Sequence, residues 1–323
     1  MKERERVSII VPCYCSGEWL SELVDGVEKS ISELYEWELI LVNDCSPDDG
    51  GTWNSISQIS KTNERVLGID LQKNYGQFNA ILCGIEHSSG DIIVTMDDDL
   101  QHDSQDIPLL IDPLGKNGTD CVIGVFEEKR HSLFRNIGSF FVRMTYRLFH
   151  NLPTSIRMSS FRAMTREVAL LVGRHRTSNP VIGAIILESA RKIENVKVNH
   201  RSRKYGRSGY GVGRLVKSAL DNVFLATTLP LRLFTFFGLM SLIGSIIASI
   251  YYVLIAITSD SSVPGFTTIV LIQLFLVGIT SIGLGLMGEY LDRIIDEVGK
   301  RPRWHVREVS NINNSSMRDK KEL

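Results

Sequence analysis

"GDIIVTMDDDLQHD", Gly90 to Asp103, is the stretch on which the reading of the fold turns. Its first half is a short apolar run rich in β-branched residues, as a single buried strand would be. Its second half places four aspartates within the eight residues from Met96 to Asp103. Carboxylates crowded at the end of a hydrophobic strand repel one another and call for a compensating cation. Asp97 and Asp99 as Asp-x-Asp, with the Gln101 amide two residues on, offer hard oxygen ligands suited to Mg2+ or Mn2+. An acidic surface turn is the plainer reading of Asp-x-Asp alone, but its position directly after a buried strand favours the ion. His102 reads as a hydrogen-bonded loop histidine, since oxygen ligands already suffice.

Working outward, apolar runs at 7–13, 38–43, 66–71, 91–96 and 120–125 read as strands, with helical patterns near 18–33, 51–61, 76–87 and 104–115. This alternation predicts an α/β fold with a mostly parallel sheet covered on both faces. Ligands of such sheets bind beyond the carboxyl ends of the strands. Three polar clusters fall there: "PCYCSGEW" after the first strand, "NDCSPDD" after the second and "MDDDLQHD" after the fourth. No GxGxxG or GxxxxGK[ST] follows the first strand, so a nucleoside diphosphate would need a metal in place of a glycine cradle.

The formal net charge of −1 over 323 residues argues against a nucleic-acid partner, but the charge is segregated. Arg191 to Lys217 holds nine Lys/Arg and one acid, Glu194, whereas Asp97 to Asp106 holds five Asp and no base. Either the basic run is a solvated face, or an anionic ligand is handled by both regions, once through a metal and once directly. Cys13, Cys15, Cys45, Cys83 and Cys121 fit free thiols of a reducing compartment, and no second pair accompanies Cys13-x-Cys15 at zinc spacing. The start "MKERERVSIIVP" passes from charge straight into a strand and does not read as a signal peptide, so this part is expected in the cytoplasm.

The last third differs. Residues 234–258 and 266–288 are uncharged stretches of 25 and 23 positions, each longer than the ~20 residues that cross a bilayer. The loop "SDSSVPG" between them lacks Lys and Arg, while Arg232 and the series Arg293, Lys300, Arg301, Arg303 and Arg307 flank the pair. Both ends then face the cytoplasm. The expected organisation is a cytoplasmic domain over 1–210, an interfacial or plain connecting helix over 211–233, two spans within 234–288 and a cytoplasmic tail over 289–323. Glu289 is expected at the membrane interface beside Arg293.

"VSIIVPCYCSGEWLSEL", "LILVNDCSPDDGG", "NYGQFNAILCGIEHSSGDIIVTMDDDLQHD" and "GLGLMGEYLDRIIDEVGKRPRWHV" together resemble the family-2 GT-A glycosyltransferases. More narrowly, the chain resembles polyprenyl-phosphate glycosyltransferases related to dolichyl-phosphate mannose synthase. Their two-span bacterial subgroup includes undecaprenyl-phosphate glucosyl- and aminoarabinosyl-transferases. The resemblance implies a GT-A (Rossmann-like) sheet domain followed by a two-helix transmembrane hairpin. Asp97, Asp99 and Gln101 match the acids and amide around the divalent ion on the donor diphosphate, with Asp98 at the variable middle position. Asp44 matches an acid that contacts the nucleobase, although after a strand it could also cap a helix. Pro12 and Tyr14 match the loop beneath the base, and Glu18 keeps a later acidic position. Arg203, Gly206, Ser208 and Tyr210 match an acceptor-phosphate motif, joined by Arg207. In "EEKRHSLFR" the phosphate-facing residue is Lys129, Arg130 or Arg135. Three departures stand out: Cys15-Ser16 replaces Asn-Glu, Gly209 replaces a Lys, and Ser160 replaces an Asp that is a candidate base in some relatives.

The reaction so implied is inverting transfer of a sugar, UDP-glucose or another UDP-hexose being the expected donor, to undecaprenyl phosphate at the inner membrane. A lipid phosphate is largely dianionic at neutral pH, its second pKa being ~6 by analogy with phosphorylated side chains, so it needs no base. Arginine suits such a phosphate through its forked donors. A processive polysaccharide synthase is disfavoured, because "KRPRW" carries Lys300 where Gln-x-x-Arg-Trp is needed. A lipid carrier would leave the metal motif unexplained. A catalytically degenerate scaffold is the remaining alternative, and the oligomeric state, a homo-oligomer included, stays open.

Overall fold

Apolar runs without alternation build the centre of the sheet, because strands buried on both faces show no polar side. In the computed structural model, which describes residues 5–126, 156–175, 182–199, 302–311 and scattered positions from 234 to 294, β1 (Arg6–Cys13) is buried at every residue after Arg6. It pairs in parallel with β2 (Glu36–Asn43) on one side and β4 (Ile92–Thr95) on the other, and β3 (Val66–Leu71) extends β2, again in parallel. Beyond β4 the direction breaks. β6 (Arg162–Thr165) lies antiparallel between β4 and β5 (Cys121–Phe126), and β7 (Ile193–Val198) joins β5 in parallel. At the opposite edge β8 (Val306–Ser310) runs antiparallel to β3. The order is β7-β5-β6-β4-β1-β2-β3-β8, with β6 and β8 reversed.

The first five strands lie where the sequence placed them; β6 to β8 were not foreseen. Within the stretch expected as a tail, 289–323, β8 is a strand of the sheet, and 301–323 groups with 1–211 in one compact unit. A short, half-exposed edge strand carries no buried run to announce it. The helix expected over 104–115 is also shorter: a 3-10 turn, Ser104–Asp106, leads into α4 (Ile107–Ile111).

Helices cover both faces. α1 (Leu20–Ile31) buries Leu20, Leu23, Val24, Val27 and Ile31, one helical stripe, against β1 and β2. Each such side chain contributes roughly 1.5–3 kcal/mol. α2 (Gly51–Thr62) and α4 share that face. α3 (Gln77–His87), α5 (Arg166–Arg174) and α6 (Ile182–Ser189) cover the other. α3 sits so close to β1 that a Cβ on Gly84 would run into Ile10, so glycine sets the depth of the helix whose first residue faces the aspartate cluster.

Residues 212–300 form a second compact unit. Among the described residues no helix is long and apolar enough to cross a membrane, and only about half of the positions of the expected spans are among them. Their described positions are helical from Phe234 to Thr258 and from Ile269 to Ile294. Phe236, Ile247, Leu254, Ile269 and Leu284 are exposed there, and Gly283 lies against the Phe234 ring too closely to admit a Cβ.

Candidate active site

The aspartate cluster follows β4 at its carboxyl end, and the neighbouring strands bring two loops beside it. Asp97 is held from both sides: Oδ1 accepts from Gln77 Nε2 at 2.6 Å, and Oδ2 accepts from Ser160 Oγ at 2.6 Å. Ser160 is placed by β6, its carbonyl accepting from Thr95 Oγ1 at 2.8 Å. His102 is buried and stacked on Phe161 and Phe126, with ring centroids 4.8 and 5.6 Å away. Its Nδ1 accepts from the Asp97 N–H at 3.0 Å, which leaves the proton on Nε2, 3.9 Å from Asp97 Oδ2. His102 therefore orients the motif from beneath.

Asp98 ties the motif to the first loop. Its Oδ2 accepts from the Tyr14 N–H at 3.0 Å and its carbonyl from Trp19 Nε1 at 2.6 Å. Burial pushes the Asp98 carboxyl up to about 6, against the pull of the Tyr14 N–H. The Tyr14 side chain stays exposed, Pro12 is buried opposite Val42, and Glu18 is exposed in the turn before α1. Cys15 (φ +55°), Cys45 (φ +52°), Asp49 (φ +52°) and Leu100 (φ +59°) are left-handed without being glycine, at least one in each of the three loops. Such backbone costs about 1–2 kcal/mol per residue and clusters where loops are built for a task.

Asp44 is buried, and its two oxygens accept from the Tyr75 and Gly76 N–H groups at 2.7 and 2.9 Å. It thus anchors the turn that starts α3, whereas α2, the helix that follows β2, is capped at Gly50. Burial pushes the Asp44 carboxyl up to about 6 despite those bonds.

Among the described residues no three His, Cys, Asp or Glu side chains converge closely enough to hold a metal alone. The donor set still fits one. Mg2+ is commonly held by one or two carboxylates together with substrate phosphates. Asp97, Asp99 and the Gln101 amide are oxygen donors of that kind, and Asp99 Oδ1 fixes the turn by accepting from the Gln101 N–H at 3.1 Å. Lys129, Arg130, Arg135, Arg203, Gly206, Arg207, Ser208, Gly209, Tyr210 and Glu289 lie outside the described residues. The root of the basic segment is described: Asn199 donates through its N–H and Nδ2 to Asp106 at 2.6 and 3.0 Å. Asp106 closes the 3-10 turn just downstream of the aspartate cluster, so the two oppositely charged stretches are joined there.

The glycosyl transferase family 2 model matches residues 8–170, from β1 into α5, the span that builds everything around Asp97 to Asp99. The chain belongs to glycosyl transferase family 2. Undecaprenyl-phosphate 4-deoxy-4-formamido-L-arabinose transferases of Salmonella choleraesuis and Salmonella paratyphi B are each 30% identical over 315 residues, covering 94% of this chain and 94% of theirs. Glucosyl-3-phosphoglycerate synthase from Mycobacterium tuberculosis, in complex with phosphoglyceric acid, shares the fold. It has a TM-score of 0.50 and 18% identity over 67% of this chain and 78% of that one. Within this family-2 domain, sequence reasoning missed two partners of Asp97. Gln77 stood in the quoted "NYGQFNA" block without a role, and Ser160 was read as a lost base. Trp19 gave no signal, because an indole donor to a distant carbonyl leaves no local pattern.

Proposed function

We propose that this family-2 enzyme transfers a sugar from a nucleotide sugar to a polyprenyl phosphate, undecaprenyl phosphate in a bacterial inner membrane, with inversion at the anomeric carbon. The observation that carries the reading is the Asp97–Asp99 cluster at the end of β4, bonded through Asp98 to the loop that follows β1. Near-complete coverage by the undecaprenyl-phosphate transferases supports the acceptor. UDP-glucose is the proposed donor, with the 4-deoxy-4-formamido-L-arabinose in the names of those relatives as its competitor. The product would be a lipid-phosphate-linked monosaccharide for glycan modification of the cell envelope.

Asp97, Asp99 and Gln101 would hold Mg2+ or Mn2+, which when bound offsets the charge that builds on the departing nucleoside diphosphate. Gln77 and Ser160 fix the Asp97 carboxylate in one orientation. Ser160 therefore has a task that a degenerate scaffold would not require. The incoming lipid phosphate needs no proton removed, so a serine in place of a base is compatible with direct displacement. Arg203, Arg207 and Ser208, with Arg130 or Arg135, are proposed to hold that phosphate. Chain length keeps Arg203 within roughly 14 Å of Asn199, at the ~3.5 Å per residue of extended chain.

The membrane placement has its own support. The chain leaves the sheet unit after Gly211 and re-enters it at Arg301, so a membrane crossed within 212–300 is crossed an even number of times. Two spans over 234–258 and 266–288, with the sheet unit in the cytoplasm, satisfy this.

The test is transfer in purified membranes, with undecaprenyl phosphate and a panel of UDP- and GDP-sugars, with and without Mn2+. A monoglycosyl lipid phosphate that disappears on chelation is expected. No product with any donor from folded protein would favour the scaffold. Asp44 adds a pH signature. Its raised carboxyl means that the folded chain holds the proton more tightly than the unfolded one, so its contribution to stability is full below pH ~4 and is lost as pH rises through about 6. Donor binding runs the other way, since the ionised form is the acceptor. Affinity for a UDP-sugar is expected to fall roughly four-fold between pH 7.5 and pH 5.5, as one group titrating near 6 requires. Isothermal titration should show that dependence reduced in Asp44→Asn, the remainder coming from Asp98, which is also raised to about 6 and holds the Tyr14 N–H of the same loop.

A further inference from the structure

Asp70 is wholly buried at the carboxyl end of β3, a place where an ionised carboxylate survives only with partners. Arg307 supplies the charge from β8: its Nε donates to Asp70 Oδ2 at 2.5 Å and its NH2 pairs with the same oxygen. The pairing of β3 with β8 shifts at this point. Asp70 faces Glu308 and Leu71 faces Val306, so Arg307 is the extra residue of a bulge. Bulges of this kind re-aim a side chain and are frequent beside active sites.

From Asp70 the bonds continue inward. Asp70 Oδ1 accepts from Asn43 Nδ2 at 2.7 Å, which turns the other end of that amide outward, and Asn43 Oδ1 accepts from Ser46 Oγ at 2.6 Å. With its proton so committed, Ser46 Oγ accepts from the Cys15 N–H at 3.0 Å. Cys15 is the left-handed residue of the loop that follows β1. The preceding N–H, that of Tyr14, is held by Asp98. Two consecutive amides are therefore gripped from opposite sides, one by the aspartate cluster and one by a chain that ends on Arg307.

We propose that Arg307 is a positioning residue for the nucleotide-sugar donor, holding the Tyr14–Cys15 turn in its binding conformation through Asp70, Asn43 and Ser46. The proposal rests on the reading of that loop as the donor site. It assigns β8 a role beyond closing the sheet edge. The strand that follows the 212–300 unit reaches the donor loop in four hydrogen-bonded steps. β8 does not depend on Arg307 for its place, because Trp53 Nε1 bonds Glu308 at 3.2 Å, Ser60 bonds Ser310 at 2.5 Å and Asn311 reaches the Val66 carbonyl at 3.1 Å. A change at Arg307 should therefore loosen the turn without releasing the strand.

The experiment compares full-length wild type with Arg307→Ala, Arg307→Lys and Ser46→Ala, the last cutting the chain at its far end while leaving the ion pair intact. Expected in Arg307→Ala and Ser46→Ala is a donor KM raised on the order of 10-fold, short of the ~10²-fold of a full 1 Å misplacement, with kcat and acceptor KM within two-fold. Arg307→Lys should recover part of the loss. A second readout needs no turnover: iodoacetamide labelling followed by peptide mapping. Cys15 is exposed whereas Cys13, Cys83 and Cys121 are buried. Faster labelling at Cys15 alone, in both Arg307→Ala and Ser46→Ala, would show a freed turn in an intact fold. Unchanged labelling and unchanged donor KM in those variants would overturn the proposal, and so would an equal rise in labelling at the buried thiols, which marks general unfolding. Should Arg307→Ala not fold, Ser46→Ala and Arg307→Lys decide the matter by the same two readouts. A wild type that transfers nothing counts against the glycosyl transfer reading, and the labelling arm still decides this one.

Discussion

Asp99→Ala is expected to lower sugar transfer on the order of 10²- to 10³-fold, the loss seen when one preorganised group facing developing charge is removed. The carboxylate sits at the tip of the cluster, in a turn fixed by the Gln101 N–H and by the left-handed Leu100. Leu100 packs its side chain on the buried core, so the turn keeps that anchor when the Asp99 carboxyl, and with it the bond from the Gln101 N–H, is lost. Chemistry should fail while the fold survives. The melting temperature should fall by only a few degrees, because a single hydrogen bond in a loop is worth about 0.5–1.5 kcal/mol. Asp97→Ala should cost as much in rate but more in structure, since it leaves Gln77 and Ser160 without the acceptor they share. Measuring rate and melting temperature side by side separates the two. Undiminished transfer by Asp99→Ala would remove the aspartate cluster from the chemistry.

That contrast shows what a sequence carries and what it does not. The strand ahead of Asp97 and the place of Asp97, Asp99 and Gln101 just beyond its carboxyl end are local, written in one short stretch of sequence, and were legible. So were β1 to β5, whose apolar runs are long enough to stand out. β6 is four residues, Arg162–Thr165, and its place between β4 and β5 follows from the antiparallel return of a distant segment. Nothing within "RAMT" states which strand it will join. The same holds for the bonds that set the site. Gln77 reaches Asp97 across 20 residues, Ser160 across 63, and Arg307 reaches Asp70 across 237. Of the two readings of Asp44, the cap on the following helix is not what the fold uses: the carboxylate holds the turn before α3, a partner fixed by the adjacency of β2 and β3.

The largest purely structural loss is expected at the opposite end of the sheet, in Glu38→Ala. Glu38 is 2% exposed near the amino end of β2. Its Oε1 accepts from Ser8 Oγ at 2.5 Å, from the Ser89 N–H at 2.6 Å and from Ser89 Oγ at 2.9 Å, while Arg6 pairs with Oε2 at 3.4 Å. Ser8 Oγ in turn accepts from the Gly90 N–H at 2.8 Å, and a Cβ at Gly90 would lie 2.7 Å from the Ser8 nitrogen. One carboxylate thus ties β1, β2 and the turn entering β4 into a fixed register. Removing it leaves the buried Ser8 hydroxyl and the Ser89 donors without their acceptor, a loss of about 1–3 kcal/mol for each buried group left unsatisfied. Urea unfolding should show that drop as a lower midpoint with the slope preserved. Donor and acceptor KM of the remaining folded protein should not move, because Glu38 lies at the amino ends of the strands and the site at their carboxyl ends. A shift in donor KM without a loss of stability would contradict this division, and would mean that the register of β1, β2 and β4 is set elsewhere.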